Sequence, residues 1–194
     1  DSYQRYSGRV LYTGTTIPVR DAYFLINGHV AMASGDTIRT NATGNFEVSV
    51  PAKQSFTFTV KKDKHTFLND GKLIINNSVN ITATENLYGI ILWDETRVRL
   101  IGRLAGGEIE GLKPLGFGLS TNNLGDSLKL VFELEGDNIA HFVYDDKDFT
   151  KKTRDTVFNH YKEGQQTRVH YEEKRVIVRP DSKTGEYMID LPPV

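Results

Sequence analysis

The densest group of residues able to hold an ion is His141, Asp145, Asp146 and Asp148. Carboxylates at such close spacing suit a hard cation such as calcium. The spacing does not match an EF-hand loop, and no glycine stands where the sharp turn would need one. The group is therefore read as an acidic loop at a strand end, and no metal site is assigned. The five histidines, His29, His65, His141, His160 and His170, are scattered and form neither an HExxH motif nor a paired zinc pattern. His170, between Val169 and Tyr171, reads as a rim residue.

Hydrolysis by two carboxylates needs both on one face. Glu172 and Glu173 are adjacent, so on a strand they point to opposite faces. Glu108 and Glu110 share a face if extended, but they lie in a Gly-rich stretch with nothing to hold them. No Gly-x-Ser-x-Gly elbow is present. Gly116-Phe117-Gly118 lacks the third glycine and the following helix of a phosphate loop, so the stretch from Gly102 reads as tight turns and a closely approached strand. The chain has no cysteine, which excludes disulfides, thiol catalysis and zinc-thiolate sites. No catalytic residue, metal ligand or cofactor-binding residue is expected, and the chain is read as not an enzyme.

Aromatic side chains offer a different chemistry, stacking on a sugar. Most of the nine tyrosines and ten phenylalanines fall at alternating, core-type positions such as Phe46, Phe56, Phe58 and Tyr187. Tyr144, Phe149, Phe158 and Tyr161 instead gather in a polar segment, where loops on a rigid scaffold commonly place function. They are the candidate ligand patch.

The elements that would carry these residues are strands. Tyr6 to Tyr12 reads as the first. Ala22 to Ile26 and His29 to Met32 flank Asn27-Gly28, the dipeptide that favours a tight hairpin because both residues accept positive φ. Phe56 to Val60 alternates, and Asn76-Asn77 marks a turn between Leu73-Ile74-Ile75 and Val79 to Thr82. Leu128 to Leu134, Ala140 to Tyr144 and Val169 to Val178 have strand character, whereas Asp145 to Tyr161 reads as one short helix or an ordered loop. Trp93, the only tryptophan, is read either as packing between two units or as part of one core.

One pattern occurs twice. Thr43-Gly44-Asn45-Phe46 opens an alternating run through Val48 and Val50 to Pro51, and Thr184-Gly185-Glu186-Tyr187 opens one through Ile189 and Leu191 to Pro192. Each Gly suits a positive-φ turn, and each Pro is expected to stop the ladder. Upstream, Ile101-Gly102-Arg103-Leu104 echoes Ser7-Gly8-Arg9-Val10. From Gly8 to Gly44 is 36 positions and from Gly102 to Gly185 is 83, so the second copy carries 47 more. The expectation is an all-β chain of two tandem β-sandwich domains, 1–95 and 96–194, the second elaborated by a long insertion around 120–170.

Gly-Arg-Val near the start, Ile17-Pro18-Val19 before an apolar strand, Thr-x-x-x-Gly-x-Phe and a strand ending in Pro resemble the carboxypeptidase regulatory-like family. That resemblance implies a transthyretin-like, or prealbumin-like, sandwich. It covers most of residues 6–88, but in the second unit only Ile101 to Leu104 and Thr184 to Pro192. The family's acidic residue before the turn glycine is here Thr43 and Thr184, so no ligand role is carried over. Lys113 to Asn123 resembles a segment of large surface proteins of gut Bacteroidetes. The resemblance implies a spacing, docking or interaction module of an exported, cell-surface bacterial protein, with neighbouring domains or surface proteins as partners. A glycan-binding module and an accessory domain of a larger hydrolase are the other readings.

Charge and hydropathy narrow the partners. The net charge of −1 gives no field to recruit nucleic acid, and no apolar run approaches the roughly 20 residues of a membrane-spanning helix. The absence of cysteine favours a bacterial source over a secreted eukaryotic sandwich. Asn41-Ala42-Thr43, Asn76-Asn77-Ser78 and Asn80-Ile81-Thr82 match the N-glycosylation sequon, and Asp36-Thr37, Asp126-Ser127 and Asp155-Thr156 begin motifs that resemble the Bacteroidetes O-glycosylation acceptor. With no initiator Met at Asp1 and Pro192-Pro193 near the end, the chain is expected to be a piece of a longer protein.

Overall fold

A computed structural model describes residues 2–103, 129–134, 144–145, 148–152, 156–159, 167–172, 174–181 and 185–193. The described chain is all-β, with one short 3-10 turn at Leu68–Gly71 and no α-helix. It divides into two compact units, Asp1–Thr96 and Arg97–Val194.

The strands of the first unit are β1 (Tyr3–Tyr12), β2 (Tyr23–Ile26), β3 (His29–Val30), β4 (Met32–Ala33), β5 (Asp36–Thr37), β6 (Asn45–Pro51), β7 (Ser55–Phe56), β8 (Phe58–Lys61), β9 (Ile81–Thr82) and β10 (Leu87–Asp94). β1 lies between β10, to which it is parallel, and β6, to which it is antiparallel. A second sheet has the order β3-β2-β8, and two short ladders join β4 to β5 and β7 to β9. Asn27 and Gly28, at φ 50° and 78°, turn β2 into β3 with Ile26 opposite His29, as their tolerance of positive φ allows. Asn76 and Asn77 turn the chain in the same way, and Ile75 and Ser78 exchange both backbone hydrogen bonds at 3.0 Å.

Strand alternation builds the core. Phe46, Val48 and Val50 are buried while Asn45, Glu47 and Ser49 are exposed. Phe46 of β6 meets Phe24 of β2 at 4.5 Å and Phe58 of β8 at 6.1 Å between ring centres. Tyr6 leans on Phe56 and Phe58. Such aromatic pairs add about 0.5–1.5 kcal/mol each beyond the area they bury.

The parallel β1–β10 pair depends on Gly8. The register slips between Tyr6 and Gly8, and a Cβ at Gly8 would coincide with the Ile90 carbonyl oxygen. No side chain can occupy that position while β10 stays in place. Trp93 belongs to this pair, in register with Leu11, and is half-buried.

The second unit contains β11 (Val98–Arg103), β12 (Leu130–Glu133), β13 (Tyr144–Asp145), β14 (Asp148–Lys152), β15 (Thr156–Asn159), β16 (Thr167–Tyr171), β17 (Arg175–Arg179) and β18 (Glu186–Leu191). β11 pairs with β18, β13 with β14, and the order β12-β17-β16-β15 forms a four-stranded sheet. Val169, Val176, Val178 and Ile189 are fully buried.

The twofold sequence pattern is also a twofold ladder. Gly8 stands opposite Phe46 in β1–β6, and Gly102 opposite Tyr187 in β11–β18. From there the registers advance in step: Ser7 with Glu47 and Ile101 with Met188, then Tyr6 with Val48 and Leu100 with Ile189. Gly44 and Gly185 open the two returning strands at φ 76° and 75°. Each donates its N–H, at 2.9 Å, to the carbonyl of a residue just upstream, Asn41 in one copy and Asp181 in the other.

Two expectations need correction and one holds. Asp145 to Tyr161 is not one helix or loop: it contributes residues to β13, β14 and β15, where the β-favouring run Thr156-Val157-Phe158 pairs with β16 and Asp148 and Lys152 of β14 pair with β13. The prolines fall where expected: β6 ends at Pro51, opposite Tyr3, and β18 ends at Leu191, just before Pro192. Tyr187 is not a core residue like Phe46. It is half-buried with its ring over Gly102, while Met188, on the opposite face of β18, is buried because that face is also covered.

Candidate functional site

Two constellations in the first unit bring polar groups together. The first lies where the chain leaves that unit. Asp94, the last residue of β10, has a fully buried side chain, and its Oδ2 lies 2.5 Å from Nδ1 of His65. Its Oδ1 accepts the Thr96 N–H at 2.9 Å, and Thr96 Oγ1 accepts the Thr66 N–H at 2.9 Å. The backbone closes the same contact, with Phe67 bridged to Asp94 and Glu95 N–H donating to the Thr66 carbonyl at 2.8 Å. The Tyr12 ring stands 6.2 Å from the imidazole. A histidine oriented by a buried aspartate is two thirds of a nucleophilic triad. Among the described residues, however, no hydroxyl is hydrogen-bonded to His65. The pair therefore acts as a clamp that fixes residues 94–96 to residues 65–67. Twenty-nine residues separate the partners, and no spacing rule in the sequence marks them.

The second is a cleft of about 400 Å³. Asn76 of the two-asparagine turn, Ser78, Asn80 and Thr82 form one wall, with Thr84, Glu85 and Tyr6 completing the polar lining. Ile75, Ile81 and Leu87 supply the apolar part. The volume lies within the range of small-molecule sites, and the mixture of apolar surface with convergent polar groups is the usual composition of one. Tyr6 is almost entirely buried, and burial, followed by the neighbouring Glu85 carboxylate, raises its phenol above the ordinary value. Among the described residues, the Tyr6 hydroxyl, the Glu85 carboxylate and the side chains of Asn76 and Asn80 make no hydrogen bond or ion pair. The sequence marked the turn that presents Asn76 but not the cleft, which joins β1 to a segment about 70 residues away.

Three residues of the candidate ligand patch lie among the described ones, in two ladders. Tyr144 is in β13, in register with Lys152, and Phe149 is in its partner β14. Phe158 is in β15, opposite Arg168 of the four-stranded sheet. Tyr161 lies outside the described residues, as do His141 and Asp146 of the acidic group. Asp145 and Asp148 stand opposite one another in the β13–β14 ladder. Among the described residues, no three of His, Asp and Glu are grouped as metal ligands would be. His170, half-exposed, has its Nε2 3.8 Å from Glu172, which is itself paired with Arg175.

The sheet edges are the remaining polar feature. β6 and β10 are the two outer strands of their sheet. The outward side chains of β6 are Asn45, Glu47 and Ser49, and Glu47 pairs with Arg5 at 2.6 Å. β10 instead presents Tyr88, 63% exposed, and Ile91, 39% exposed, around Gly89. Its outer side carries no paired strand among the described residues; Phe67 bridges its last residue, Asp94, and the Leu68–Gly71 turn lies near it. Among the described residues no helix is long and apolar enough to cross a membrane. Compared with protein-family models, curated proteins and solved structures, the chain matches none.

Proposed function

We propose that the chain is a non-catalytic module of an exported, cell-surface bacterial protein that docks a partner by strand addition along β10. Its two units are read as tandem sandwiches, the first of the carboxypeptidase regulatory-like kind and the second an elaborated copy. The observation that carries this reading is the contrast between the edges. Natural edge strands are commonly protected by charge, proline or cover. β6 carries a charged and polar outer row, whereas β10, paired with β1 on one side only, leaves Tyr88 and Ile91 exposed. An extended segment from a neighbouring domain or surface protein would satisfy those backbone groups and cover both side chains. The His65–Asp94 clamp supports the same role, since it holds the end of β10 rigid.

Selection of a displayed library of random peptides on the whole chain tests the reading. Binders with alternating apolar residues are expected, and Ile91→Pro, which removes an edge N–H, should abolish their binding while Ser49→Pro on β6 does not. Peptides that bind equally well to Ile91→Pro would end the proposal.

A further inference from the structure

We infer that the cleft beside Tyr6 is a binding site for a neutral saccharide; its lining meets β10 at Leu87 but includes none of Tyr88 to Leu92 and none of the Tyr144–Tyr161 segment. The lining excludes the other common ligand classes. No Lys or Arg lines it, and Glu85 would repel a phosphate, sulfate or carboxylate. One carboxylate among amides and hydroxyls is a poor cage for a hard cation, which gathers six or more oxygen ligands and favours several charged ones.

A dense array of hydroxyls is what remains. Each sugar hydroxyl both donates and accepts, and the cleft offers both functions at close quarters. Glu85 accepts from up to two adjacent hydroxyls, Tyr6 donates its phenolic proton, and the amides of Asn76 and Asn80 do either. The Tyr6 phenol is protonated at neutral pH, as any tyrosine is, and so is a donor. These groups have no partners among the described residues, so they meet a ligand without first breaking a protein contact. Ile75, Ile81 and Leu87 give the C–H face of a pyranose an apolar surface. The framework is preformed: the Asn76-Asn77 turn is closed by its own pair of backbone hydrogen bonds, and the Tyr6 ring is wedged against Phe56 and Phe58.

The test is a glycan array carrying neutral, N-acetylated, sialylated and sulfated sugars, followed by titration calorimetry of any sugar retained. At least one neutral glycan should bind the full chain. Tyr6→Phe, which keeps the ring packing, and Glu85→Gln, at an exposed position, should each weaken it by about tenfold or more while the thermal melt stays unchanged. No bound neutral glycan, a preference for sulfated or sialylated ones, or binding that survives both substitutions would overturn the inference. So would binding lost on Tyr144→Ala or Tyr161→Ala but not on Tyr6→Phe. The peptide selection is read at Ile91, which does not line the cleft, and the glycan test at Tyr6 and Glu85, so either result can fail without the other.

Discussion

Gly8 and Gly102 hold equivalent places in the twofold ladder, yet they are glycines for different reasons. A methyl group at Gly8 would coincide with the Ile90 carbonyl, which cannot move without separating β1 from β10. At Gly102 the obstacle is the far end of the Tyr187 side chain, which can swing away. Gly8→Ala should therefore cost about 1–3 kcal/mol or more, as overpacking does, and Gly102→Ala distinctly less, by chemical denaturation. The clamp makes a second prediction. His65→Ala leaves the buried Asp94 carboxylate short of its partner and should cost about 1–3 kcal/mol. Asp94→Asn removes the charge itself and should cost less, as read by thermal melting. Tyr6 makes a third. Its pKa is raised in the folded chain, so the unfolded chain ionises first as pH rises past 10.0. The stabilisation from keeping this phenol neutral is complete below that value and declines as pH climbs toward the folded value. Tyr6→Phe should accordingly lose less stability than the parent between neutral and strongly alkaline pH.

Among the elements, those set by neighbouring residues were legible and those set by distant ones were not. The Asn27-Gly28 hairpin, the Asn76-Asn77 turn and the alternation of Phe46, Val48 and Val50 depend on two to six consecutive residues, and each forms as its residue types require. The parallel β1–β10 pair joins residues about 80 positions apart, and no local pattern marks it. The same holds for His65 with Asp94 and for Tyr6 beside Asn76. The segment 145–161 was misread because its many charges hide short β-favouring runs that become strands only when a ladder partner is present. At this scale β10 carries the functional prediction. Ile91→Lys gives its edge the protection that Glu47 gives β6, and should leave the melting temperature nearly unchanged while abolishing capture of an extended peptide.

At the scale of the whole molecule, two compact units repeat one strand–turn–strand ladder with a longer excursion between its halves in the second copy. A unit that contains its own aromatic core is expected to fold by itself. Residues 1–96 expressed alone should melt cooperatively and keep the Phe24–Phe46–Phe58 packing, seen as dispersed aromatic resonances in a proton spectrum. Such independence is what the proposed docking module requires, with the proposed docking edge and the proposed saccharide cleft both on the first unit. The central claim is that β10 accepts a strand, and the most direct measurement is nuclear magnetic resonance of the full chain with a peptide selected on it. The account predicts backbone-to-backbone Overhauser contacts between the peptide and Tyr88 to Leu92, with the amides of that segment slowed in hydrogen exchange. Contacts confined to other strands, with exchange along β10 unaltered, would contradict it.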